Sequence, residues 1–169
     1  MAALCITTLE LIMQKIKITS LLLFITIAVG CAPARIVSIP APAENEKSTL
    51  LVYRESAFNA GGVGLIFGAD SRDYVKLGNS DYSEIELKNG HYKFFVRSDQ
   101  ADKPYILAEE LKAGDKKCLK AYANPANLGK ALVPLAYYMS HTFLLEKIEC
   151  PSEEELSKYR KVPVKYTDA

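Results

Sequence analysis

The chain has 169 residues, 49% hydrophobic and 24% charged, with a formal net charge of +1. That composition supports one modest globular domain and excludes disorder, and nine Gly with eight Pro exclude a collagen-like or Pro-rich repeat. A near-neutral balance also lacks the basic excess expected of a nucleic-acid binder.

Lys15 and Lys17 form a small basic region, after which residues 18–29 run without a charge up to Gly30 and Cys31. A positive start, a short apolar run and small residues at its end predict a secretory signal peptide over residues 1–30. Twelve residues span about 18 Å as a helix, short of a hydrocarbon core of about 30 Å, so a permanent transmembrane helix is not expected. Met13 opens a more usual signal peptide than Met1 and is the expected true start, with Met1 as the alternative.

Ala28-Val29-Gly30-Cys31 resembles the bacterial lipobox, in which small residues precede a Cys that receives a diacylglyceryl group before cleavage. Ala28 stands where that motif usually has Leu. The resemblance implies that Cys31 becomes the acylated first residue of the mature chain. Several acyl chains, at about 0.8 kcal/mol per buried CH2, anchor a protein where a single one does not. Ala32 follows, rather than the Asp that retains enteric-type lipoproteins at the inner membrane. This favours the outer membrane, facing the periplasm, in a Gram-negative cell. Processing leaves 139 residues with nineteen basic and nineteen acidic side chains, so no long-range steering toward nucleic acid is expected.

Residues 31–48 carry three prolines among small residues and are expected to form a tether. The alternative is an edge strand over residues 36–39. From Thr49 the pattern is short strands separated by turn signals. Leu50–Arg54 is a compact apolar run, Val63–Phe67 follows a Gly61-Gly62 break, and Tyr74–Leu77 ends at Gly78-Asn79. Over Tyr82–Leu87, Ile85 and Leu87 fall on one face and Glu84 and Glu86 on the other. Asn89-Gly90 is a hairpin signal. The next strand, His91–Arg97, sets Tyr92, Phe94 and Val96 against Lys93, Phe95 and Arg97. Tyr92, just after a Gly-containing corner, is a candidate for a tyrosine corner or for an ordinary core residue.

Tyr105–Leu111 and Lys116–Tyr122 follow as strands. Leu128–Ala136 reads as a short helix or a crossing loop, and Ser140–Ile148 as the last strand. Ser152 caps a short acidic helix in a C-terminal segment over residues 151–169. About eight strands with scarcely any helix between them predict an all-β antiparallel sandwich over residues 49–150, immunoglobulin-like or transthyretin-like, with a short C-terminal helix.

Leu50-Leu51-Val52-Tyr53-Arg54, the Gly61-Gly62 step, Asn89-Gly90-His91-Tyr92 and Phe143-Leu144-Leu145 followed by Glu153-Glu154-Glu155 together resemble domain-of-unknown-function family 2846. These are small bacterial proteins that often carry a lipobox. Glu55 stands where the family usually has Pro. The resemblance covers roughly residues 49–155 and implies a small β-rich envelope domain with no catalytic residues to carry over.

Cys118 and Cys150 lie in or beside the strands flanking residues 124–138. Antiparallel pairing of those strands brings the two thiols opposite each other as a candidate disulfide, and two separate buried thiols are the alternative. The histidines, His91 and His141, lack metal-ligand spacing, and no metal or cofactor is expected. Ser56 or Ser140 can be drawn into a triad with His and Asp, but there is no Gly-x-Ser-x-Gly elbow and no phosphate-binding loop. Phe95, on the strand face opposite the expected core, and Tyr137-Tyr138 are the candidate interaction surface.

The expectation is therefore a membrane-anchored, non-catalytic interaction or accessory module whose partner is another envelope protein. The alternatives are a small-ligand-binding or hydrolytic envelope protein, and a lipoprotein that docks a secretion system.

Overall fold

The computed structural model describes residues 35–57, 62–100, 103–127 and 140–167. Among them are eight strands of five or more residues: β2 (Lys47–Arg54), β3 (Leu65–Ala69), β4 (Arg72–Leu77), β5 (Asp81–Lys88), β6 (Gly90–Ser98), β7 (Tyr105–Leu111), β8 (Lys116–Ala123) and β9 (Phe143–Ile148). Three two-residue strands, β1 (Ile39–Pro40), β10 (Arg160–Lys161) and β11 (Tyr166–Thr167), complete the set, with one short helix, α1 (Glu153–Leu156). One sheet has the order β10-β5-β2-β8-β9 and the other β4-β3-β6-β7, while β1 pairs with β11. The fold is an all-β sandwich with a short C-terminal helix, and no helix among the described residues is long and apolar enough to cross a membrane.

Period-two alternation builds the core. On β5, Ser83, Ile85 and Leu87 are buried while Tyr82, Glu84 and Glu86 are only half-buried. Leu50 and Val52, Leu119 and Ala121, and Phe143 and Leu145 add to that inner face. From the other sheet they meet Leu65, Phe67, Val75, Leu77, Phe94, Val96 and Leu111. Arg54 ends the inward series of β2 at 1% exposure. Its Nη1 donates to the carbonyls of Val63 (2.6 Å) and Leu77 (3.1 Å), and its guanidinium lies 4.7 Å from the Phe143 ring. Burial lowers its pKa against the opposing pull of Asp81 and Asp99.

Three sequence expectations meet corrections. The sandwich is not wholly antiparallel, because β2 pairs in parallel with β8 at the centre of its sheet. Parallel neighbours need a crossover, and here the opposite sheet, β3, β4, β6 and β7, lies within that connection. Asn89-Gly90 does not close a hairpin: β5 belongs to one sheet and β6 to the other, so the chain passes between layers there. The crossing is pinned by Tyr92, whose Oη donates to the Lys88 carbonyl at 2.7 Å, and by the Asn89 N–H, which donates to the Glu46 carbonyl at 2.8 Å. Tyr92 thus forms a tyrosine corner, and its ring stacks on Phe94 with centroids 5.4 Å apart.

The third correction concerns the tether. Residues 36–48 belong to the fold: Ile36 bridges Asp73, Ile39 is 4% exposed, and a 3-10 turn over Glu44–Glu46 leads into β2. The edge-strand alternative for residues 36–39 describes them better.

The C-terminal segment crosses the outside of the five-stranded sheet. Cys150 is bonded to Cys118 with Cα atoms 5.1 Å apart, although Cys118 is in register with Ile148, so the bridge reaches two residues beyond the strand end. Ser152 caps α1 in a reciprocal box with Glu155. Tyr159 then meets Tyr53 edge-on at 5.2 Å, and Arg160 forks onto Asp81 with Nε–Oδ1 at 2.9 Å and Nη2–Oδ2 at 2.8 Å. Asp81 is 2% exposed and also accepts from the Gly78 N–H at 2.6 Å. Burial pushes its carboxyl up, but the Arg160 and Gly78 bonds and the charges of Arg160 and Arg54 outweigh that and hold it below the usual range.

Candidate functional site

The outward series of β6 is His91, Lys93, Phe95 and Arg97, as alternation predicts. Register places Phe95 between Gly68 of β3 and Ile106 of β7. Gly68 is what lets the ring lie down. A Cβ there would stand 2.7 Å from Phe95 Cζ and 1.9 Å from the Arg72 carbonyl oxygen. The ladder shifts register at the same place, between Phe67 and Gly68, so that Tyr74 and Val75 of β4 are both buried. Phe95 is consequently an outward-facing residue only 8% exposed, the floor of a depression rather than a knob.

Ile106 forms one wall and is 58% exposed. The opposite wall is the Asp70-Ser71 turn between β3 and β4, with positive φ at both residues (49° and 67°), the backbone of a two-residue hairpin. Asp70 ties that turn to β6: its N–H donates to the Lys93 carbonyl, and its Oδ1 accepts from the Lys93 N–H, both at 3.2 Å. Arg97 Nη2 meets Asp73 Oδ2 at 2.7 Å, with both side chains largely buried. With Lys93 and Pro104, these residues enclose about 380 Å³ of open depression. The arrangement can hold an apolar side chain against Phe95 and Ile106, with a polar or acidic end toward Lys93.

The other singled-out residues fall elsewhere. Cys31, Tyr137 and Tyr138 lie outside the described residues, as does all of the helix-or-loop stretch over residues 128–136. His91 lies within the tyrosine corner, one residue before Tyr92, and is exposed. His141 directs Nδ1 at the Lys103 carbonyl at 3.0 Å, so that nitrogen carries the proton, and its ring meets Tyr105 edge-on. Ser140 Oγ donates to Asn127 Oδ1 at 3.0 Å, and Ser56 Oγ accepts from Asn79 Nδ2 at 3.3 Å. Among the described residues no group of three or more His, Cys, Asp or Glu is placed to hold a metal ion.

Sequence reasoning found Phe95 but missed Ile106, Gly68 and the Asp70-Ser71 turn. The available signal was Asp-Ser between two apolar runs, since Asp tolerates positive φ. No family model matches this chain, and neither a curated protein nor a solved structure shows significant similarity to it.

Proposed function

We propose that the chain is exported and held by lipid on Cys31 at a bacterial envelope membrane, the outer membrane facing the periplasm in a Gram-negative cell. There its sandwich acts as a non-catalytic interaction module for another envelope protein. The observation that carries this reading is Gly30-Cys31 at the end of an uncharged run preceded by Lys15 and Lys17. The Cys118–Cys150 disulfide supports it, because such bonds persist in oxidising compartments outside the cytosol. The resemblance to domain-of-unknown-function family 2846 agrees with it. The depression around Phe95 and Ile106 is the face the module offers, sized for an apolar side chain of its partner.

The test is Cys31→Ala in the native host. The reading expects loss of metabolic palmitate label and a shift in membrane fractionation. Unlabelled wild-type protein that fractionates as freely soluble refutes it.

A further inference from the structure

The point where the chain enters the fold limits how the domain can stand on a membrane. Among the described residues Ile36 is the first held to the fold, by its parallel bridge to Asp73, and the Val37 N–H donates to the Asp73 carbonyl at 2.9 Å. Three residues on, the Ile39 N–H donates to the Lys165 carbonyl at 2.9 Å, and Ile39 pairs with Tyr166. From Cys31 to Ile36 the covalent chain spans about 18 Å at most when fully extended, at about 3.6 Å per residue. A domain of this length has a radius of gyration of roughly 14 Å, so its far side stands beyond that reach. A lipid on Cys31 therefore keeps the Ile36 end nearest the bilayer.

The surface at that end has the composition for the task. Arg35, Arg72 and Lys165 are exposed, and none of them enters an ion pair among the described residues. Arg72 lines one groove with Ile39 and Pro40. The carboxylate in that groove, Asp70, already accepts from the Lys93 N–H. Ile36 and Tyr166, each 37% exposed, are two of the three exposed large hydrophobic residues among those described. Tyr166 Oη meanwhile accepts from the Glu86 N–H at 2.7 Å, which holds the ring in place. Free cations beside amphipathic and aliphatic side chains suit the headgroup layer of an anionic leaflet.

We propose that residues 35–40, with Arg72, Lys165 and Tyr166, form a membrane-contacting surface that binds the anionic headgroups of the bilayer holding Cys31. The proposal rests on the anchoring reading above and adds to it an orientation and a ligand. The β7 and β9 edges of the two sheets, with Ile106 on β7, then lie on the side away from the membrane, while the Asp70-Ser71 wall of the depression lies beside the membrane surface.

The full lipidated protein tests this, with a photo-crosslinking benzoylphenylalanine placed singly at Arg72, Tyr166 or Glu146. Glu146 lies on β9, at the opposite edge of the five-stranded sheet from β10. Each variant is reconstituted into vesicles of phosphatidylglycerol with phosphatidylcholine, or of phosphatidylcholine alone, and acylation of Cys31 is verified by mass. The expected result is lipid crosslinking from positions 72 and 166 at least tenfold above position 146. The yield should be higher in the anionic vesicles and reduced when Arg35 and Lys165 are both changed to Glu. Equal yields at the three positions, or a maximum at 146, on acylated protein overturn the orientation while leaving the anchor intact. No difference between the two vesicle types on acylated protein overturns the binding of anionic headgroups. Protein with an unmodified Cys31 thiol overturns the anchor itself, and the orientation with it.

Discussion

The two outer faces of the sandwich are made of similar residues and treated differently. On the five-stranded sheet, alternation points Leu51, Tyr53 and Cys118 outward, yet Leu51 is 0% and Cys118 1% exposed. The C-terminal segment lies over them, fastened by the disulfide, the Tyr159–Tyr53 contact and the Arg160–Asp81 fork. On the four-stranded sheet, Phe95 is buried only because Gly68 makes room beneath it, and Ile106 beside it stays open. An apolar outward residue is thus ordinary structure where the chain itself covers it, and a candidate contact where nothing described in the chain does.

Removing the cover should have a large effect. The Cys118–Cys150 bridge spans a sequence separation of 32, and in the loop-entropy account it contributes about 3–4 kcal/mol. Denaturant unfolding of the reduced protein, or of a Cys118→Ala, Cys150→Ala pair, should show that loss. Protease sensitivity should rise first within residues 151–167. Uniform sensitivity around the whole chain would mean that the segment is not a separable cover.

Asp81 fastens the middle of the same segment. Asp81→Ala removes the acceptor of three hydrogen bonds, two of them from a guanidinium, at a cost of about 2–3 kcal/mol. The pH dependence has a definite sign. Its folded pKa lies below its unfolded value, so the stabilisation is complete above an unfolded pKa of about 3.9 and is lost as pH falls through the folded value. Thermal melts of the wild type should therefore be insensitive to this group down to about pH 5 and decline in stronger acid. The variant should start lower and lack that part of the decline. Parallel acid profiles for the two proteins would refute the assignment.

On the open face the largest structural effect belongs to the floor. In Gly68→Ala the new Cβ meets the Arg72 carbonyl and the Phe95 ring, so the β3–β4 turn must shift and the ring with it, at about 2 kcal/mol. Measured by chemical denaturation, a cost under about 0.5 kcal/mol would show that Phe95 is not held down by the absence of a side chain at position 68.

What was readable in the chain follows the range of the interactions. The inward series of β5, the tyrosine corner at Tyr92 and the cap at Ser152 depend on neighbours within a few residues, and each was legible. The Cys118–Cys150 pairing was legible because these are the two cysteines after residue 31 and they lie in or beside adjacent strands. The parallel β2–β8 pair was not, since nothing local to a central strand states which strand approaches its second edge. Asn89-Gly90 misled for the same reason: a turn signal specifies the backbone there but not which sheet the next strand joins. Ile36–Ile39 looked like tether because its partners, Asp73 and Tyr166, are far along the chain. The depression was half legible. Alternation set Phe95 outward, whereas its burial needs a glycine on β3 that only the register reveals.

Ile106→Asp separates the two faces most sharply because its structural effect should be the smallest. The side chain is 58% exposed on the outward series of an edge strand, so replacing it removes little buried area, and stability should change by no more than about 0.5 kcal/mol. If the depression receives a partner's apolar side chain, a charge at its wall must be desolvated on contact, and association should weaken tenfold or more. In-cell crosslinking from neighbouring Ala108, also exposed on the outward series of β7, reads this without knowing the partner in advance. A discrete adduct present in wild type and absent in Ile106→Asp would identify the face as the contact. The same adduct in both would return Ile106 to the class of isolated exposed aliphatics that need no partner. The matching change on the covered face, Leu51→Asp, should instead unfold the protein, because there the charge would be buried in the resting molecule rather than only on contact.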